Sequence, residues 1–132
     1  MTPITLTLPI YWVDEKKTKP SSTHLIGMNF YRNAFYHTKN KMKKDIEELA
    51  INQLPSDITF TQFTVDYSLF YKNPSSDGSN VVALIEKFLL DALQANNTVT
   101  NDNVKYHLGS TWSIGGQDKT NPRIEITIKE HE

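Results

Sequence analysis

The chain has 132 residues, enough for one domain with a hydrophobic core, and we treat residues 1–132 as a single domain. It contains no cysteine, which excludes disulfides, zinc–thiolate sites and a cysteine nucleophile. The formal net charge is −1, so the protein is not basic throughout, and no apolar run approaches the roughly 20 residues of a membrane helix.

The first half of the chain predicts a strand, a loop and a helix. Residues 4–13 begin with strict apolar–polar alternation, which predicts a short strand that Pro9 ends because proline cannot donate to the ladder. Residues 14–24 are polar and charged and predict a flexible surface loop. Residues 31–53 predict a helix, although residues 29–33 also suit a loop. The apolar positions that predict this helix are Phe35, Met42, Ile46, Leu49 and Ala50.

The second half predicts a strand, an amphipathic helix and a hairpin. Residues 58–71 alternate as a long strand, with a slip between Phe60 and Phe63 that indicates a bulge. Residues 80–94 place their apolar side chains on one helical arc. Alternating residues on either side of 115–122 predict a closing hairpin. The order is therefore β-α-β-α-β-β, an α+β domain in which two main helices pack on a mixed sheet.

A short basic segment stands out in a chain that is otherwise nearly neutral. Between Arg32 and Lys44 there is no acidic residue. Such a patch can bind phosphate even on a nearly neutral protein, because salt screens charges beyond about 8–10 Å and acids elsewhere do not cancel it. The alternative is that these residues are ordinary solubilising charge. The candidate DNA-binding residues are Arg32, Lys39, Lys41, Lys43 and Lys44.

A group of acidic residues surrounds the second helix. Asp77-Gly-Ser-Asn80 directly precedes it, and Glu86, Asp91 and Asp102 follow. If these carboxylates meet in space, the cluster is costly unless a cation neutralises it, and Mg²⁺ prefers such oxygen ligands. Simpler interpretations also stand for individual residues. Asp77 suits a helix cap, Asp102 suits a turn, and Asp91 suits an i,i+4 pair with the lysine at position 87.

These residues resemble the RusA-type Holliday-junction resolvases, small dimeric nucleases common in phages and prophages. In that family a D-x-D-N turn opens a helix that carries a lysine and Asp-Ala-Leu, followed by Gly-x-x-x-Asp-Asp. The matching residues are Asp77–Asn80, Lys87, Asp91–Leu93 and Asn101-Asp102. The stretch Asn29-Phe-Tyr-Arg32 before the basic helix also fits, more weakly. The chain departs from the family at Ser79, which replaces the second aspartate, and in a helix about four residues longer before Lys87.

The resemblance implies a Mg²⁺-dependent endodeoxyribonuclease, with Mn²⁺ as a substitute, that resolves four-way junctions and other branched DNA in recombination and repair. It implies no organic cofactor and no membrane partner. It assigns catalytic roles to Asp77, Lys87 and Asp102, and metal ligation to Asp77 and Asp102, completed by Glu86 or Asp91.

Two symmetric cuts in a junction imply a two-fold homodimer. The N-terminus shows no secretory signal, so we expect a cytoplasmic protein, and the resemblance implies a bacterial host and a phage or prophage origin. Because Ser79 removes a family ligand, two alternatives stay open. One is a junction-binding protein that cleaves weakly, and the other is an interaction module that does not bind nucleic acid.

Overall fold

The computed structural model describes residues 2–131 and contains a mixed sheet, a separate two-stranded hairpin and three helices. The main sheet has the strand order β1-β6-β4-β5. In it, β4 and β5 are parallel, whereas β6 is antiparallel to both β1 and β4. The elements are β1 (Ile4–Pro9), β2 (Tyr11–Asp14), β3 (Ser22–Leu25), α1 (Met28–Asn33), α2 (Tyr36–Ile51), β4 (Gln62–Tyr71), α3 (Gly78–Ala95), β5 (His107–Gln117) and β6 (Arg123–His131).

The helices pack on one face of this sheet, and period-two alternation creates that face. Every second residue of β1, β4 and β6 is buried, while the intervening residues point to the other face. On the uncovered face, Asp66 accepts a hydrogen bond from Thr111 at 2.6 Å and pairs with Lys129 at 3.0 Å. The buried strand residues are Ile4, Leu6, Leu8, Phe63, Val65, Tyr67, Leu69, Ile124, Ile126 and Ile128.

Helix α3 confirms the apolar arc expected from its sequence. Its arc residues are all buried, and together with Val82 and Leu93 they face the sheet and α2. The helix runs back along β4, so that β4, α3 and β5 form a parallel strand–helix–strand unit. The N-terminus of α3 therefore lies at the carboxyl ends of β4 and β5, and its C-terminus lies at their starts. The arc comprises Val81, Leu84, Ile85, Phe88, Leu89 and Ala92.

The predicted closing hairpin is wrong. Strands β5 and β6 both pair with β4, which lies between them. The connection has to cross two inter-strand spacings, about 10 Å, which residues 118–122 can span. It is held by Asp118, which accepts from the Asn121 N–H at 3.0 Å and pairs with Arg123 at 2.7 Å.

The predicted helix over residues 31–53 is two helices. Ala34 and Phe35 are both extended, with ψ of 152° and 151°, and they separate α1 from α2. Met42, Ile46 and Ala50 are buried as expected. Phe35, which was expected on the buried stripe, is instead 86% exposed because the break turns it outward.

The predicted surface loop over residues 14–24 is only partly a loop. Strand β3 occupies its end and pairs antiparallel with β2, so the connection is the turn of a small hairpin. Trp12 fixes this hairpin to α2 because its indole N–H donates to Asp45 at 2.8 Å. Strand β1 ends at Pro9 as expected. Strand β4 begins at Gln62, and Phe60 forms a separate bridge with Val99.

We expect Phe88→Ala to lower the free energy of unfolding by about 3–5 kcal/mol, because it opens a cavity in the fully buried face of α3. Urea denaturation followed by circular dichroism measures this loss. Val104→Ala is the matched control: Val104 is 92% exposed, so its truncation should change stability by less than about 0.5 kcal/mol. Similar losses in both variants would contradict the burial of α3.

Candidate functional site

The turn before α3 is a helix cap built from the motif residues. Asp77 is the N-cap residue, and its carboxylate accepts from the backbone N–H of Asn80 at 3.3 Å. The Ser79 hydroxyl donates to the same oxygen at 2.9 Å. The side chain of Asp77 is exposed, so its second oxygen is open to solvent. Ser79 thus stands beside Asp77 as a hydrogen-bond donor, where the resembling family has a second acid.

Asn80 joins this turn to α1. Its side-chain oxygen accepts from the backbone N–H of Asn29 at 2.8 Å, across 51 positions of sequence. Gly27 permits the contact, because a Cβ there would overlap the Asn80 amide. The two segments that carry the resemblance, Asn29–Arg32 and Asp77–Asn80, therefore meet in space.

The other candidate residues are spread along α3. At 1.5 Å per residue, Glu86 and Lys87 lie about 14–15 Å along the axis from Asp77, and Asp91 lies about 21 Å away. Asp102 lies beyond the C-terminus of the helix. Shortly after it, the backbone carbonyls of Lys105 and Tyr106 accept hydrogen bonds from the first two residues of β4. Asp77 and Asp102 therefore occupy opposite ends of a helix about 27 Å long.

The expected Mg²⁺ ligands do not fit one ion within one chain. Ligand oxygens must lie within about 2.0–2.6 Å of a shared cation, and the length of α3 prevents this for Asp77 and Asp102. Among residues 2–131, no group of three or more His, Asp or Glu side chains is arranged to hold a metal. The expectation that these acids converge in a single chain is therefore wrong, because α3 continues without a break between them.

Glu86 lies against strand β4 of the sheet. Its half-buried carboxylate faces the hydroxyl of Tyr67, a β4 residue that is paired with Trp112 of β5. Burial raises the pKa of Tyr67, and the charge of Glu86 adds to this shift. Within the described part of the chain, neither the Tyr67 hydroxyl nor Glu86 Oε2 makes a hydrogen bond of ordinary geometry. The Glu86 carboxylate and the Tyr67 hydroxyl thus face each other on the helix-covered side of β4, one strand in from the edge.

Asp91 and Lys43 link α3 to α2. Lys43 lies 3.3 Å from Asp91 and 3.7 Å from Glu47. Burial acts to lower the pKa of Lys43, but the hydrogen bond and charge of Asp91 outweigh it and the pKa is raised. Asp91 is therefore part of a helix–helix ion pair, and the expected pair between Lys87 and Asp91 is absent from the ion pairs of residues 2–131.

The expected DNA-binding residues differ in how far they are already paired. Lys41 pairs with Asp14 at 2.7 Å and also donates to a backbone carbonyl, while Lys39 lies over the ring of Tyr31 at 5.3 Å. Arg32 and Lys44 are exposed, and within residues 2–131 they form no ion pair. These two cations and Lys39 are consequently the members of the set best placed to contact phosphate.

The basic region is larger than the segment noted in the sequence. No acidic residue occurs from Lys16 to Lys44, and Lys16 of the β2–β3 turn lines the same cleft as Phe35. Counting basic residues beyond the predicted helix would have revealed this region. The eight cations are Lys16, Lys17, Lys19, Arg32, Lys39, Lys41, Lys43 and Lys44.

Strand β5 is an exposed edge, whereas the opposite edge of the sheet is protected. At β1, the Gln53 side chain bonds both the N–H and the C=O of Thr7, at 2.9 and 2.8 Å. Strand β5 has eleven residues and no charged side chain. Its Trp112 and Ile114 are 44% and 53% exposed. A long, uncharged, apolar edge is a template for pairing with another strand.

Comparison with protein-family models and with curated proteins found no match to this chain. No helix among residues 2–131 has the length and apolar character needed to cross a membrane. The resemblance therefore depends on the motif residues alone.

We expect Asp77→Ala to lower the free energy of unfolding by about 1 kcal/mol, because alanine cannot accept the N-terminal hydrogen bond of α3. Asp77→Asn should retain the stability of the wild type, since asparagine caps helices about as well as aspartate. Thermal or urea denaturation of the three proteins measures both values. Equal stability of the alanine variant and the wild type would contradict the capping role.

Glu47→Gln should slightly stabilise the protein at pH 7. Burial raises the pKa of Glu47; Lys43 opposes this shift and Asp91 adds to it. A raised pKa in the folded state means that the free energy of unfolding falls as pH rises above the unfolded value of about 4.3. The gain from glutamine should therefore disappear below that pH, where the wild-type carboxyl is protonated.

Urea denaturation from pH 7 to pH 4 measures this difference. Glu48→Gln changes the exposed neighbouring acid and serves as the control. A stabilisation by Glu47→Gln that is the same at both pH values would contradict the electrostatic explanation.

Proposed function

We propose that this protein binds branched DNA as a two-fold homodimer and cleaves it with Mg²⁺ only when two chains are assembled. The observation that supports this most directly is the contact between Asn29 and Asn80, which brings the two segments of the motif resemblance together. The exposed carboxylate of Asp77 lies beside this contact between the two segments. The basic residues 16–44 include α1, so an electropositive surface adjoins the turn.

A second chain could bring Asp77 close to an Asp102, although the two residues are far apart within one chain. Asp77 lies beside the carboxyl half of β5, since a Cβ on Gly78 would approach the ring of Trp112, in the middle of the strand, at 2.9 Å, and Gly78 lines a cavity with Ile114. Asp102 precedes the start of the same strand. If two β5 strands pair antiparallel about a two-fold axis, the Asp77 end of one chain adjoins the Asp102 end of its partner.

The composition of β5 suits this pairing. It brings no like charges opposite each other, and it buries the exposed side chains of Trp112 and Ile114. The Glu86–Tyr67 pair lies one strand in from this edge, because Tyr67 is on β4. A metal held between Asp77 of one chain and Asp102 of its partner would absorb negative charge on the phosphate, and neither chain alone would supply both ligands.

Junction binding without cleavage is the second candidate. It is favoured by Ser79, which donates a hydrogen bond to Asp77 and supplies no carboxylate. In this case the Asp77 turn serves as a helix cap, and the basic surface alone holds the DNA. Cleavage of a labelled junction in Mg²⁺ or Mn²⁺ distinguishes the two candidates.

Mixing two inactive variants tests the shared site. Asp77→Asn and Asp102→Asn should each abolish nicking of a four-way junction while retaining binding. In a mixed dimer, one of the two sites would receive an unchanged Asp77 from one chain and an unchanged Asp102 from the other. After subunit exchange, an equal mixture should regain nicking, with about a quarter of all sites intact if subunits pair at random.

The control introduces Ile114→Lys into both variants, which places like charges at the paired edge. This change should reduce the dimer in sedimentation and prevent the recovery of nicking. Failure of the mixture to recover, although sedimentation shows mixed dimers, would contradict a site shared between chains. Binding without nicking by the unchanged protein would support the second candidate instead.

A further inference from the structure

The corner between α1 and α2 exposes two adjacent aromatic side chains. Phe35 is 86% exposed and Tyr36 is 71% exposed. Phe35 is also the N-cap residue of α2, although its side chain makes no capping hydrogen bond. Phenylalanine is outside the set of residues that N-caps prefer, so helix capping does not explain its presence. Because the Phe35 ring is mostly exposed to water, it adds little buried apolar area to the fold.

The surroundings of this corner are basic and contain stacked rings. A cleft of about 200 Å³ between the β2–β3 hairpin and the corner is lined by Lys16, Phe30 and Phe35, among others. His24, also in the cleft, stacks on Phe30 at a centroid distance of 4.2 Å. Asp14 lines the cleft as well, but its charge is paired with Lys41.

Charge decides which partner suits these aromatic residues. The corner lies within the 16–44 segment, which has eight basic residues and no acidic one. The nearest acids in the sequence lie just outside this segment, Asp14 and Glu15 before it and Asp45 after it. Aromatic platforms within an electropositive surface are the usual arrangement for binding unpaired nucleotides, because bases stack on the rings while cations hold the phosphates. Paired bases inside a duplex do not offer a free face to such a platform.

We propose that Phe35 and Tyr36 form a binding site for unpaired bases of DNA, with Lys16, Arg32 and Lys39 holding the adjacent phosphates. The inference rests on the proposed function for its biological context, since base pairs at a branch point can lose a stacking neighbour and then open more readily than those inside a duplex. It adds a means of distinguishing a junction from a plain duplex. Phosphate contacts alone would bind both in the same manner.

The experiment compares three DNA probes of equal strand length at fixed salt: a single strand carrying 2-aminopurine, a fully paired duplex and a four-way junction. Phe35→Ala should weaken binding of the single strand roughly 5- to 150-fold, reduce the change in 2-aminopurine fluorescence, and leave duplex binding unchanged. Phe35→Trp should retain single-strand binding because indole also stacks. Val104→Ala is the matched control for loss of an exposed apolar side chain.

The outcomes separate this inference from the proposed function. Equal weakening of duplex and single-strand binding by Phe35→Ala would overturn the stacking site. Junction binding by the unchanged protein without single-strand binding would also overturn it, while leaving the proposed function in place. Absence of binding to all three probes would contradict the proposed function itself. A lower mass in sedimentation for Phe35→Ala would assign the corner to a protein interface and reject the inference.

Discussion

The continuous burial of α3 against the sheet is the constraint on which the arrangement of the molecule depends. Its apolar arc runs from Val81 to Leu93, so the helix has no position at which it can bend without exposing part of the core. Because β4 and β5 are parallel, the chain must return along the whole length of β4 before β5 begins. The two ends of this helix therefore lie at opposite ends of the sheet, and every polar residue on it has a fixed position along that axis.

Two polar residues of α3 hold neighbouring helices in place. Asn80 holds α1 at the N-terminal end, and Asp91 holds α2 near the C-terminal end through Lys43. Asp77 caps the helix while leaving one carboxylate oxygen open to solvent. Structural roles and a functional role can thus coexist in the same residues, and this explains why Asp77→Asn is more informative about chemistry than Asp77→Ala.

Local patterns in the sequence predicted the elements better than their pairing. Alternation identified the buried face of β4, and helical spacing identified the arc of α3, because both signals depend only on neighbouring residues. The placement of β4 between β5 and β6 depends on long-range pairing that no short segment encodes. The break at Ala34 and Phe35 has no glycine or proline to mark it. The convergence of the acids was expected from motif order, but the unbroken length of α3 keeps them apart.

The two unprotected surfaces of the molecule differ in chemistry, and the difference indicates separate partners. Strand β5 is uncharged and has free main-chain groups along an apolar edge, which a second copy of the strand can satisfy. The α1–α2 corner has exposed aromatic rings within a segment that contains no acid, which suits a polyanion and would repel a second copy of itself. The Asp77 turn lies beside Trp112 of β5 on one side and beside Asn29, at the start of α1, on the other. If DNA binds at the corner and two β5 strands pair, as we propose, α1 would connect the DNA contact to one side of the Asp77 turn, and the second chain would approach its other side.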